Sequence, residues 1–259
     1  MHGGYTLRGN KILLGEGGIV SSGSSNVINN DLSLGAGVDR AFNINAGSTL
    51  FVDGRIEGGN GLVKTGAGDL ALRANSSYTG LTDIAAGRLF ITRDEALGAF
   101  SGAGTATLIR GGATLVLNDD LPASVLRVDE RITVENGGTI HALNDVEQRG
   151  IIVTNGTATL RHDGSVIERL LITGQISGPG GITVANGQVW LRGTQSNVQE
   201  GPTFVLGKLR LDNSAGNAIA GDLTIQSSGS VRLDRDHQLH DSSTVTILGT
   251  GALLANERE

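Results

Sequence analysis

The chain has 259 residues, of which 41 are glycine, 3 proline and none cysteine, and aromatic residues make up only 3%. The low proline count excludes a collagen-like or proline-rich array, the 38% hydrophobic content excludes wholesale disorder, and the missing cysteine excludes disulfide and thiolate–metal chemistry. Twenty basic residues against 26 acidic ones give a net charge of −6, and no basic face that would displace counterions from a nucleic acid is expected.

The opening stretch Met1-His2-Gly3-Gly4-Tyr5 has no basic region followed by an apolar segment, so no secretion signal is expected there. No apolar run approaches the roughly 20 residues that cross a membrane as a helix. The chain therefore reads either as unexported or as a piece of a longer precursor. Absence of cysteine suits a cytosolic protein and a chain threaded through a narrow pore equally well.

From Tyr5-Thr6-Leu7 onward, short aliphatic strands follow one another. The commonest phrase is a glycine, a small or polar residue, then the strand. Examples are Gly47-Ser48-Thr49-Leu50, Gly68-Asp69-Leu70, Gly87-Arg88-Leu89, Gly112-Ala113-Thr114-Leu115, Gly187-Gln188-Val189 and Gly251-Ala252-Leu253. The phrase returns every 18 to 31 residues, about 23 on average, the rhythm of a solenoid whose units bury their faces on their neighbours. Within the strands, Leu70-Ala71-Leu72, Leu89-Phe90-Ile91, Leu115-Val116-Leu117 and Val189-Trp190-Leu191 alternate with period two. Arg210 and Arg232 hold the middle of equivalent triplets and mark the solvent side. The one helical candidate, Asp94-Glu95-Ala96-Leu97, is too short to stand alone.

Corners between strands call for positive φ, which glycine adopts at least cost and Asn or Asp next. Asn29-Asn30-Asp31 and Asn118-Asp119-Asp120 fall between strands, as do Pro122, Pro179 and Pro202. The pattern predicts an all-β chain, a parallel β-helix of about eleven coils forming one continuous domain over residues 1–259. At a strand separation of roughly 4.8 Å it is about 50 Å long. Neither Tyr5-Thr6-Leu7 nor Gly251-Ala252-Leu253-Leu254 adjoins an evident cap, so neighbouring sequence or a partner is expected to cover the open strand edges. A longer echo relates Ile56–Leu62 to Ile176–Ile182 at an offset of 120 residues.

Residues 61–98, GLVKTGAGDLALRANSSYTGLTDIAAGRLFITRDEALG, closely resemble the autotransporter-associated β-strand repeat, or passenger-associated transport repeat. The resemblance rests on Gly61-Leu62, Lys64, Gly66, Gly68, Leu70, Leu72, Asn75, Tyr78, Gly80, Thr82, Ile84, Gly87, Leu89 and Ala96-Leu97-Gly98. Residues 176–217 read as a degenerate second copy, with Val184 in place of the lysine, Val198 of the tyrosine and Val205 of Ile84. The resemblance implies a Gram-negative autotransporter passenger with a right-handed β-helix. Such a chain is fused to an outer-membrane barrel in its precursor, secreted unfolded, and folded at the outer-membrane surface or outside the cell. It also implies a non-enzymatic virulence role: an adhesin, or a scaffold binding host extracellular proteins or receptors, immune and complement factors among them. Gly66, Gly68, Asn75, Tyr78, Gly80, Gly87 and Gly98 then have structural roles.

The residues offer little chemistry. His237 and His240 could share a metal with a nearby carboxylate, but positions three apart on a strand face opposite ways, and a solvated turn is the favoured reading. His162-Asp163 reads as a surface turn. Asp119-Asp120 and Asp129-Glu130 are the paired carboxylates a polysaccharide hydrolase or lyase would need, yet adjacent residues diverge. No Gly-x-Ser-x-Gly elbow occurs, and Gly-x-Gly copies such as Gly66-Ala67-Gly68 read as corners rather than phosphate cradles. No catalytic residue, cofactor or metal is expected. Tyr78 is expected to pack over a turn. Trp190 points outward and is a candidate partner contact, and Arg88, Arg192, Arg210 and Arg232 are read as solvated. A polysaccharide-degrading enzyme and a pure spacer that aids export remain the alternatives.

Overall fold

The computed structural model describes residues 4–100, 105–121, 124–165 and 167–255. Pro122 lies outside the described residues. Short strands pair in parallel in four sheets of twelve, nine, seven and three strands. Along the chain a strand of the twelve-stranded sheet is followed by one of the three- or seven-stranded sheet, then by one of the nine-stranded sheet. The three- and seven-stranded sheets are thus early and late parts of one third face. Twelve passes through the largest sheet make a β-solenoid of about eleven turns. Asp94–Leu97 forms a turn and not a helix.

Period-two alternation sends every second side chain inward, and the parallel register stacks like on like. One inward column runs Leu50, Leu70, Leu89, Leu115, Ile140, Leu160, Val184, Val205, Ile225. All nine are fully buried, each stabilising the fold by about 1.5–3 kcal/mol relative to exposure. No bulky residue is needed because each layer is only one strand thick. On the outside of the same strands Thr114, Thr139, Thr159 and Thr183 stand in register, a cross-strand arrangement that favours sheet pairing. The neighbouring outward column carries Phe51, Ala71, Phe90 and Val116. Ala71 and Val116 are buried there although they point away from the core.

The third face is interrupted. Between Asp69–Leu72 and Thr82–Ile84, and again between Arg88–Ile91 and Thr107–Ile109, the described residues hold no strand of it. A comparable gap affects the nine-stranded face after Lys208–Leu211 and after Ser230–Leu233, where a single bridge joins Ile219 to Leu239. The terminal coils leave Tyr5, Leu7, Ile247 and Leu254 exposed.

Candidate binding surfaces

Within residues 61–98, Tyr78 is fully buried beside the corner and its hydroxyl lies 2.6 Å from that of Thr82. Asn75 accepts from the Glu95 amide through Oδ1 at 3.4 Å. Gly87 has φ +69° and Gly98 φ +97°, and a side chain on Gly98 would meet the Tyr78 carbonyl at 2.5 Å. Gly68 is a correction. Its φ is not positive; glycine is needed because a Cβ would run into the carbonyls of Asn45 and Ser48. Gly66 and Gly80 are equally tight against neighbouring backbone.

Lys64 sits in an inward column between Phe42 and Ile84 and is fully buried. Its Nζ donates to the carbonyls of Thr65, Gly66 and Ala86 at 2.8–3.0 Å, tying two successive corners together. Burial pushes its amine down to about 8, against the opposing pull of Asp69. Arg40 is likewise buried, donating through Nε to the Leu14 carbonyl at 3.0 Å and through Nη2 to Ala36 at 2.9 Å. Alternation alone would have placed both cations inside. Glu130 is also interior, with Thr107 donating to it at 3.4 Å, and burial pushes its carboxyl up to about 8.

His162 departs from the surface-turn reading. It ends the strand Ala158–His162 with its side chain inward, 1% exposed. The same alternation that buries Ala158 and Leu160 carries it inside, and burial lowers its pKa. His237 and His240 are exposed, and His240 Nδ1 lies 2.8 Å from Ser242. Among the described residues no three His, Cys, Asp or Glu side chains gather to hold a metal. The carboxylate pairs do diverge: Asp119 accepts from the Leu121 amide at 2.9 Å, Asp120 pairs with Arg93, Asp129 is exposed and Glu130 is in the core.

Equivalences between residues 61–98 and 176–217 follow from matching hydrogen bonds. The Ile56 amide donates to Ser76 Oγ at 3.2 Å, and the Ile176 amide to Asn197 Oδ1 at 2.7 Å. Thr79 donates to the Gly58 carbonyl, and Glu200 to that of Gly178. Tyr78 therefore corresponds to buried Gln199 and not to Val198, which is 52% exposed. The offset is 121 here and not 120, because two residues are added between Leu191 and Asn197 after one is lost between Val184 and Val189. The two segments also occupy different faces. Leu62–Thr65 lies in the nine-stranded sheet and Ile182–Asn186 in the twelve-stranded one.

Trp190 points outward from the seven-stranded sheet between Leu171 and Arg210. The Arg169 and Arg210 guanidiniums cover its ring at 4.4 and 4.1 Å from the centroid. The arginines read as solvated are ion-paired: Arg88 with Asp69 at 2.6 Å, Arg192 with Asp212 at 3.2 Å, and both Arg210 and Arg232 with Asp234.

Tight glycine corners and interior lysine and tyrosine anchors define the chain as a parallel β-solenoid. Residues 62–89 match the passenger-associated-transport-repeat model. The chain is also 37% identical over 89 residues to the adhesin BmaC autotransporter of Brucella suis biovar 1 (strain 1330), a match covering 34% of this chain and 2% of that protein. No solved structure matches. Residues 62–89 therefore carry this repeat, and the two matches support an autotransporter passenger segment at the outer-membrane surface or in the extracellular space. Among the described residues no helix is long and apolar enough to cross a membrane.

Proposed function

We propose that the segment is a non-enzymatic binding scaffold of a surface adhesin, engaging a host extracellular protein or receptor through its outward faces and corners. Immune and complement factors fall within that partner class. The observation that carries this reading is where the unusual acid–base groups lie. Lys64, Tyr78 and Glu130 are buried in the core, and the perturbed pair nearer the surface, His141 and Asp163, is held by Arg161 and Asn186. The outer faces instead present continuous registered rows of side chains, a geometry suited to contact. The adhesin name of the Brucella relative supports the same reading.

Pull-down from serum and from host-cell extracts with the immobilised full chain tests it. A saturable partner supports the reading, and its absence from both sources contradicts it. Turnover of acidic glycans, with or without calcium, would overturn the non-enzymatic assignment. The unbroken aliphatic column also suits a spacer that projects other parts of a longer passenger. Deletion of this segment without loss of host binding by the remainder would favour that second role. Further coils or a partner are proposed to cover the exposed end strands.

A further inference from the structure

We propose that the late part of the third face is a binding strip for an extended sulfated polysaccharide. Three successive strands, Gln188–Leu191, Lys208–Leu211 and Ser230–Leu233, align Trp190, Arg210 and Arg232 in one outward column. Lys208 stands beside this column, exposed, and Arg169 closes over Trp190. The chain as a whole carries −6, so a cationic row here is a local reversal of sign.

Two aspartates hold the row in place without neutralising its outer surface. Asp234 takes Arg210 and Arg232, and Asp212 takes Arg192 and Arg235, the latter at 2.6 Å. The side chains of Asp234 and Asp212 are only 5% and 13% exposed, whereas those of the four arginines are 30–54% exposed. The carboxylates lie underneath and a layer of guanidinium meets solvent. Two acids against four arginines, with Arg169 and Lys208 added, leave an excess of positive charge on the face. Asp236 and Asp241 line the adjoining corner and lower that excess by two.

Strand spacing sets the Arg210 and Arg232 backbones about 4.8 Å apart along the rod, with Arg192 and Arg235 flanking them through Asp212. Such a row suits a polymer lying lengthwise with repeated anionic groups, and guanidinium forks take sulfate oxygens in pairs. Single-stranded nucleic acid fits less well, because its bases need free aromatic faces for stacking, and both faces of Trp190 are covered. The site stands apart from the host-protein reading, since it is tested with a purified glycan.

Trp190 is the single tryptophan of the chain, so its fluorescence reports on the strip directly. Titration of the full chain with heparin at low salt is expected to give a saturable change that weakens as salt screens the charges. The double variant Lys208→Gln/Arg232→Gln is expected to bind at least tenfold more weakly, while Arg88→Gln on another face stays within twofold. Desulfated heparin is expected to lose binding. If the double variant fails to unfold cooperatively, Lys208→Glu alone, which removes no observed ion pair, must still weaken binding severalfold. Absence of a saturable response to heparin, equal loss in Arg88→Gln, or equally tight binding of a single-stranded oligonucleotide would overturn the proposal. A negative pull-down from serum would leave it standing.

Discussion

The hydroxyl of Tyr78 meets that of Thr82 at 2.6 Å with both residues fully buried, and Thr82 in turn donates to the Leu97 carbonyl at 3.3 Å. This chain of contacts joins the corner at residues 75–80 to the turn at 94–98. Tyr78→Phe is expected to cost about 1 kcal/mol, since Thr82 keeps its carbonyl acceptor. Tyr78→Ala is expected to cost about 3–5 kcal/mol through the cavity it leaves. Urea unfolding measures both, and similar values for the two variants would show that the ring contributes little.

Gly87 and Gly112 share positive φ, +69° and +79°, but differ in surroundings. A Cβ at Gly87 would lie 2.6 Å from the carbonyl oxygens of Gly66 and Gly68, whereas one at Gly112 meets nothing within 4 Å. Gly112→Ala is expected to cost only backbone strain, about 1–2 kcal/mol. Gly87→Ala is expected to cost more, because two coils must also separate. Equal losses in thermal unfolding would contradict the close approach.

Much of this architecture was legible in the amino-acid sequence because glycine spacing and period-two alternation are local signals. Leu70-Ala71-Leu72 and Val189-Trp190-Leu191 announced their faces unaided. His162 was misread because a polar residue beside Asp163 and Gly164 looks like a corner, although alternation from Ala158 pointed inward. Gln199 was missed because two added residues between Leu191 and Asn197 shift the register, and only the hydrogen bonds of Glu200 and Asn197 reveal it. Interruption of the third face leaves no mark in the local pattern. The Arg169–Trp190–Arg210 stack joins two strands and the residue that precedes a third, and depends on register, which no single segment encodes.

Two buried ionisable groups shape stability against pH in opposite ways. Glu130 keeps its proton up to about 8 when folded and releases it near 4.5 when unfolded, so its contribution falls as pH rises between those values. Lys64 loses its proton near 8 when folded and 10.5 when unfolded. The unfolded chain binds more protons in that window, so the Lys64 contribution rises with pH there. Each slope is at most one proton, about 1.4 kcal/mol per pH unit. Glu130→Gln is expected to remove the falling limb and Lys64→Met the rising one, read by denaturant midpoints from pH 4 to 10. Unchanged profiles would show that neither group is sealed from water.

Gln199 is 1% exposed, and neither its Oε1 nor its Nε2 has a partner among the described residues. Gln199→Leu is expected to stabilise the fold by about 1–2 kcal/mol by removing an unpaired buried amide. A loss of stability on denaturant unfolding would contradict that environment.

Registered stacking of parallel coils is tested most directly by distances along one outward column. Thr49 and Thr224 are 175 residues apart in sequence but eight strand steps apart in the twelve-stranded sheet. Thr114 and Thr224 are five steps apart. Because the chain has no cysteine, spin labels on paired cysteine substitutions at these threonines report without interference. Pulsed dipolar spectroscopy is expected to give backbone separations of about 38 and about 24 Å, near 4.8 Å per step. Separations that fail to grow with the number of strand steps would contradict the solenoid.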